Sequence, residues 1–194
     1  MSAQQPGLRL ASGYTLVTGP ANGGKSLWAE TLAARSGLPV IYMATGPSLP
    51  DDADWQQRLQ RHRLRRPAHW QCQEVGLQLC EALRAAPPGY TVLVDALGTW
   101  VAAGLDRDPA DWHSHCVALE AALSQPRGPV ILVGEEVAWG VVPTTASGCL
   151  FRQRLGALLQ TLMPRCAAAW LVLHGRAIDL LACSVPINPE PSSS

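Results

Sequence analysis

Short, unbroken apolar runs alternate along the chain with longer stretches of mixed polarity. Residues 14–18, 40–43, 91–94, 130–133 and 169–173 read Tyr-Thr-Leu-Val-Thr, Val-Ile-Tyr-Met, Thr-Val-Leu-Val, Val-Ile-Leu-Val and Ala-Trp-Leu-Val-Leu. A strand with one wet face alternates apolar with polar. Continuous runs of this length, rich in branched side chains, predict strands covered on both faces. The intervals are long enough for the crossover helices that parallel neighbours require. Two of them carry a helical period. Residues 26–35, closed by Gly37, offer Leu27, Trp28, Thr31 and Leu32 for one face. Residues 149–163 set Phe151, Leu155, Leu158, Leu159 and Leu162 on one stripe, a core pattern rather than a site. The predicted fold class is α/β, a mostly parallel sheet with helices on both faces.

The two ends depart from this pattern. Residues 1–11 lack periodicity, and residues 184–194 hold three prolines and a serine run that cannot support a packed element. A flexible N-terminus, one domain over 12–183 and a disordered tail are expected, and 194 residues suit a single α/β domain better than two. No apolar run is long enough to span a bilayer, and residues 1–12 lack the charged start and apolar core of a signal peptide. The expectation is a soluble, cytoplasmic protein with no membrane span.

Charge narrows the function. The formal net charge is zero, so nucleic-acid binding is not the expected task and any basic chemistry must be local. The cysteines at 72, 80, 116, 149, 166 and 183 form no C-x-x-C pair and have no histidine at zinc-finger distance. Of fifteen basic residues Lys25 is the single lysine. It lies in Gly19, Pro20, Ala21, Asn22, Gly23, Gly24, Lys25, Ser26, which reads G-x-x-x-x-G-K-S, a phosphate-binding loop. In such a loop backbone N–H groups cradle phosphates, a compact ammonium reaches the β and γ oxygens, and the hydroxyl binds Mg²⁺. Arginine's wide fork does not replace that point charge. The strand before the loop and the helix after it supply the required context. The fold class sharpens to a single P-loop NTPase-type (RecA-like) domain.

Three further places carry candidate chemistry. Asp95 ends the run 91–94, where phosphate-loop enzymes hold their Mg²⁺ carboxylate, although aspartate also ends strands merely to start a turn. Glu135 and Glu136 follow the run 130–133 at the ligand-binding edge of the sheet. Two readings of this pair stand side by side: proton acceptor or holder of metal-bound water, and solvated loop. Residues 58–67 crowd five arginines around His62, a solvated helix face, a phosphate-reading patch, or a nucleophilic imidazole among charge-neutralising guanidiniums. His113 and His115 have poor ligand spacing, and His174 reads as a satisfied buried imidazole. Most of the seven tryptophans are expected in the core.

In order along the chain, these pieces resemble the bifunctional adenosylcobinamide kinase and adenosylcobinamide-phosphate guanylyltransferase family of cobalamin biosynthesis. The matching residues are the loop from Gly19 to Ser26 followed by Ala29 and Glu30, Tyr42-x-Ala44-Thr45, and Asp54-x-x-x-Arg58-Leu59-Gln60-x-His62. They continue with Arg66-Pro67-Ala68-His69-Trp70, Glu74, Leu93-Val94-Asp95, Trp100, Glu136-Val137-x-x-Gly140-Val141-Val142-Pro143, Phe151-Arg152 and Gly156. The resemblance implies phosphorylation of adenosylcobinamide, or a related corrinoid, by ATP or GTP. Transfer of GMP from GTP through a guanylyl-histidine would follow. It makes Lys25, His62 and Glu136 the candidate catalytic residues and His62 the nucleophile. Arg63, Leu64, Arg65, Arg66, Ala44, Thr45 and Glu74 would hold the guanine nucleotide, and Ser26 with Asp95 would hold Mg²⁺. It further implies a homo-oligomer, a trimer.

The chain departs from the family pattern at several positions, mostly in its second half. Asn22 stands for arginine, Ala103 and Glu135 for asparagine, and Ala138 for glycine. Thr145, Cys149, Gln153, Ala157 and Leu159 stand for Asn, Arg, Asp, Arg and Asn. Two alternatives therefore accompany the bifunctional reading: a small-molecule kinase without the guanylyl step, and a non-catalytic nucleotide-binding paralogue.

Overall fold

A seven-stranded sheet runs through the centre of the computed structural model, which describes residues 13–49 and 51–187. The strands are β1 (Tyr14–Gly19), β2 (Val40–Ala44), β3 (Gln71–Glu74), β4 (Thr91–Asp95), β5 (Val130–Glu135), β6 (Ala168–Leu173) and β7 (Arg176–Asp179), in the order β3-β2-β4-β5-β1-β6-β7. Every pairing is parallel except β6 with β7. The five predicted runs are β1, β2, β4, β5 and β6. One strand, β5, stands between the loop strand β1 and the Asp95 strand β4, the RecA-like arrangement of a P-loop domain.

Helices α1 (Lys25–Arg35), α2 (Ala53–Arg65), α3 (Leu79–Ala85), α4 (Leu97–Ala103), α5 (Pro109–Ser124), α6 (Ala146–Leu162) and α7 (Leu180–Cys183) complete the fold, with single 3-10 turns at Gly76–Gln78 and Met163–Arg165. Along β4, Val92 and Val94 join an apolar cluster with Trp100, Leu119 and Leu155, while Leu93 joins another with Val17, Leu32 and Tyr42. Period-two alternation thus feeds two cores, one on each face, which is why the strands read as unbroken apolar runs.

Several expectations need correction. The buried face of α1 is Lys25, Ala29, Glu30, Leu32 and Ala33, whereas Leu27 is 54% exposed and Trp28 is half-buried in a T-shaped contact with Trp170. The phosphate loop sets the helix's rotation by turning Lys25 inward, and the two alanines then meet the sheet. Helix α6 starts three residues earlier than expected because Thr145 caps it, its hydroxyl accepting from Gly148 N–H at 3.1 Å, and Met163 belongs to the following 3-10 turn. His174 is not a buried imidazole: it is exposed at φ +48°, followed by Gly175 at φ +76°. Positive φ at both central positions is what a two-residue hairpin of type I′ takes. Trp139 is 62% exposed, while Trp100 lies fully in the core. Residues 1–11 lie outside the described residues. Of the tail only 184–187 are described, and these are exposed and without regular structure. Among the described residues no helix is long and apolar enough to cross a membrane.

Candidate functional site

Register brings five strand ends to one edge of the sheet: Gly19 pairs with Glu135, and Ala44 with both Asp95 and Glu74. Ligands of open α/β sheets bind at this carboxyl edge. The loop leaving β1 lies tight against β6. Gly19 holds φ +146°, and a Cβ there would collide with the Val172 carbonyl; Gly24 enters α1 at φ +103°. Only glycine meets both demands cheaply. Lys25 is buried, its Nζ donating to the Pro20 carbonyl at 2.7 Å.

Asp95 is the hub. Its Oδ1 accepts from the Ser26 hydroxyl at 3.4 Å, its Oδ2 accepts from the Tyr42 hydroxyl at 2.8 Å, and His62 Nδ1 lies 3.5 Å from the same Oδ2. Burial alone works to raise this carboxyl's pKa, but His62, Tyr42 and Ser26 together hold it below the usual range. Burial, with the Asp95 charge adding, pushes Tyr42 far above its ordinary value, so its hydroxyl remains a donor. Ser26 and Asp95 form an all-oxygen donor pair at the phosphate loop, which fits a hard cation such as Mg²⁺.

His62 is delivered by the last turn of α2. The helix begins at Asp52, which accepts from Trp55 N–H at 2.9 Å. Its arginines have separate tasks. Arg65 grips Glu30 through two bonds of 2.8 Å and also brings Nη2 to 3.4 Å from His62 Nδ1. Arg66, just after the helix, donates to the His62 carbonyl at 2.8 Å and stacks 3.8 Å above the Tyr42 ring. Arg63 pairs with Glu74 at 3.3 Å in an exposed bridge, and Leu64 is 79% exposed.

Two clefts open along this edge. One is lined by Ala21, Asn22, Gly24, Lys25, Ser26 and Arg65, the other by Ala44, Gly46, Trp55, Arg63, Arg66 and Glu74. His62, Asp95 and Glu135 line both, so they form the wall between them. Leu64, Thr45 and Glu136, all expected at the site, line neither cleft. Thr45 is buried, and its hydroxyl is bonded to the Ala96 carbonyl at 2.5 Å and to Thr99 at 2.6 Å. Glu136 accepts from Ala138 N–H at 2.6 Å and lines neither cleft. The carboxylate that faces them is Glu135, whose Oε2 accepts from Gly98 N–H at 2.9 Å. Burial, reinforced by the Asp95 charge, raises the pKa of Glu135.

Sequence reasoning missed four contributors: Tyr42, Glu30, Trp55 and Gly98. A hydroxyl inside the otherwise apolar run 40–43 was a signal for Tyr42, and the Ala29-Glu30 pair after the loop was one for Glu30. Trp55 and Gly98 had none. Of the departures, Thr145 caps α6 and Leu159 packs against the core beneath Gly134, while Gln153 and Ala157 are exposed and outside both clefts.

Comparison with known proteins agrees with this geometry. Residues 15–180 match the family model described as cobinamide kinase / cobinamide phosphate guanyltransferase. The chain is 37% identical over 167 residues to the bifunctional adenosylcobalamin biosynthesis protein CobP of Pseudomonas aeruginosa, covering 85% of this chain and 95% of that one. It is 33% identical over 180 residues to the bifunctional adenosylcobalamin biosynthesis protein CobU of Escherichia coli K12, covering 85% and 98%. Solved structures share the fold at low identity. An ATPase of a type III secretion system of pathogenic bacteria aligns with a TM-score of 0.55 at 11% identity over 90% of this chain and 59% of its own. A protein of Pyrococcus horikoshii OT3 aligns at 0.53 and 9% over 89% and 87%. With loop, histidine helix and carboxylate strand in one order and one cleft system, and relatives matched over nearly their whole length, the chain belongs to the cobinamide kinase / cobinamide phosphate guanyltransferase family.

Proposed function

We propose that this protein phosphorylates adenosylcobinamide, or a related corrinoid, with a nucleoside triphosphate and then transfers GMP from GTP onto that phosphate through His62, giving adenosylcobinamide-GDP. The observation that carries the reading is the common wall of His62, Asp95 and Glu135 between the phosphate-loop cleft and its neighbour. A single nucleophile on that wall serves a phosphate held on either side. Lys25 and the loop N–H groups bind triphosphate. Ser26 and Asp95 hold Mg²⁺, which when bound neutralises charge on the phosphate oxygens. Arg63 and Arg66 face the second cleft beside Glu74 and Ala44, where a guanine nucleotide fits, and Trp55 closes that cleft with its indole N–H on the Pro47 carbonyl at 2.9 Å. Glu135, rather than Glu136, has the position to accept a proton from the acceptor hydroxyl.

The departures at Thr145 and Leu159 have structural roles of their own, so they do not favour a loss of catalysis. The working assembly is proposed to be a cytoplasmic homotrimer. Support comes from the family resemblance and from the exposed apolar loop carrying Trp139, Val141 and Val142, and light scattering on the purified protein tests it. For the chemistry, α-labelled GTP with Mg²⁺ is expected to leave acid-labile, base-stable label on the protein. That label should be absent from His62→Ala. Equal labelling of the variant would defeat the reading.

A further inference from the structure

The loop after β2 and the first turn of α2 are tied together along the wall of the second cleft. At one end the buried Thr45 donates its hydroxyl to the Ala96 carbonyl at 2.5 Å and lies 2.6 Å from the Thr99 hydroxyl. At the other, the Gln56 side-chain amide donates to the Leu49 carbonyl at 2.7 Å. Between these anchors sits the half-buried Trp55, whose indole N–H donates to the Pro47 carbonyl at 2.9 Å. A Cβ built on Gly46 would lie 2.8 Å from Trp55 Cζ2 and 3.3 Å from Cη2, the first closer than a side chain tolerates. Gly46 has no positive φ, so the demand for glycine comes from the ring and not from the backbone. Nε1, Cζ2 and Cη2 share one edge of the indole, and the loop takes up that edge. The cavity beside it is about 120 Å³, against roughly 300 Å³ or more for an ordinary small-molecule pocket. A single planar heterocycle suits such a slot, and a macrocycle does not.

We infer that Trp55 seats the base of the nucleotide used for guanylyl transfer, presenting a face of its indole to the guanine ring, and that Gly46 is the gap that lets the indole lie there. The inference deepens the proposed function and rests on its placing of the guanine nucleotide in the second cleft. A purine and an indole are both flat π surfaces, and such rings prefer an offset stack. Stacking of this kind accepts any base, because every base has a π face. Trp55 therefore supplies affinity for the base as a ring, and the choice of guanine falls to polar groups that read its edge. The bonds from Thr45, Gln56 and the indole N–H fix the platform before the nucleotide arrives, so little side-chain freedom remains to be lost on binding. This also gives Thr45 a part in the site without lining it: its hydroxyl holds the loop on which Trp55 rests.

The test separates base from phosphate. Equilibrium binding of GMP, and separately of Mg²⁺-tripolyphosphate, is measured on the full-length protein. In Trp55→Ala the GMP dissociation constant is expected to rise about tenfold or more, and Trp55→Phe should recover part of the loss. Tripolyphosphate has no base and is expected to bind all three proteins equally, which also shows that the variants are folded. Gly46→Ala keeps the indole but denies it its seat, so it should weaken GMP to a similar degree. The double variant Gly46→Ala/Trp55→Ala should then be no weaker than Trp55→Ala alone. Unchanged GMP binding in Trp55→Ala overturns the inference. So does an equal loss for tripolyphosphate, which marks a purely structural role, and so does a double variant in which the two losses multiply. A wild-type protein that binds GMP through Trp55 yet takes no label on histidine defeats the guanylyl step and leaves this inference standing; one that binds no GMP defeats both.

Discussion

Glu135 brings a carboxylate into the cleft proposed to receive phosphates, and its surroundings limit the resulting repulsion. Gly98 N–H binds one oxygen, while burial and the Asp95 charge raise its pKa. A carboxyl whose folded pKa exceeds its unfolded value, about 4.3 for glutamate, favours folding at low pH and loses that contribution as pH rises through the folded value. Glu135→Gln keeps an acceptor for Gly98 but cannot ionise. Its melting temperature at pH 8 is expected to exceed that of the wild type by about 2–4 °C, with the difference vanishing near pH 4. Equal melting curves at both pH values would show that Glu135 ionises without penalty. Asp95 has the opposite sign: its lowered pKa contributes stability above about 3.9, lost as pH falls through the folded value. At this scale the sequence named a dipeptide of which Glu135, and not Glu136, lines the clefts. Alternation decides which of two neighbours faces a cleft, and where β5 ends sets that phase.

Between elements, the contact of α4 with β5 depends on one missing side chain. A Cβ on Gly98 would collide with the Glu135 carboxylate. Gly98→Ala is expected to destabilise the protein by about 1–3 kcal/mol in urea unfolding, as overpacking does. Removing the obstacle in Gly98→Ala/Glu135→Ala should recover part of that loss, a coupling of about 0.5–3 kcal/mol. Strict additivity of the two substitutions would deny the contact. The same scale shows which elements the sequence concealed. Strand β3 reads Gln-Cys-Gln-Glu and is exposed at every residue, because an edge strand is held by backbone bonds to β2 and needs no apolar signal. The face of α1 was misread because period alone allows several rotations, and the loop's inward lysine selects one.

Across the whole molecule, the histidine helix is the least anchored part of the site. No described side chain of α2 is fully buried; Arg65–Glu30, Arg66–Tyr42 and the Trp55–Pro47 bond attach it. Amides of α2 are therefore expected to exchange hydrogen faster than those of β4 or α1, and protection equal to that of β4 would contradict this. Arg65→Ala strips the partner from a carboxylate that is 6% exposed and should cost about 1–3 kcal/mol, less than a fully buried pair because Arg65 is partly wet. Arg63→Ala breaks an exposed pair with Glu74 and should cost under about 1 kcal/mol. Equal losses in chemical denaturation would refute the distinction. By itself the sequence determined the apolar runs that become five parallel strands, the glycine-lysine loop, and an Asp95 and a His62 whose types suit phosphoryl chemistry, because composition and short-range spacing dictate local structure. Long-range packing alone brings His62 to Asp95, 33 positions further along the chain, braces them with Tyr42 and Glu30, and completes the wall with Glu135. These meetings depend on strand order, register and helix rotation, which are settled by packing over the whole chain.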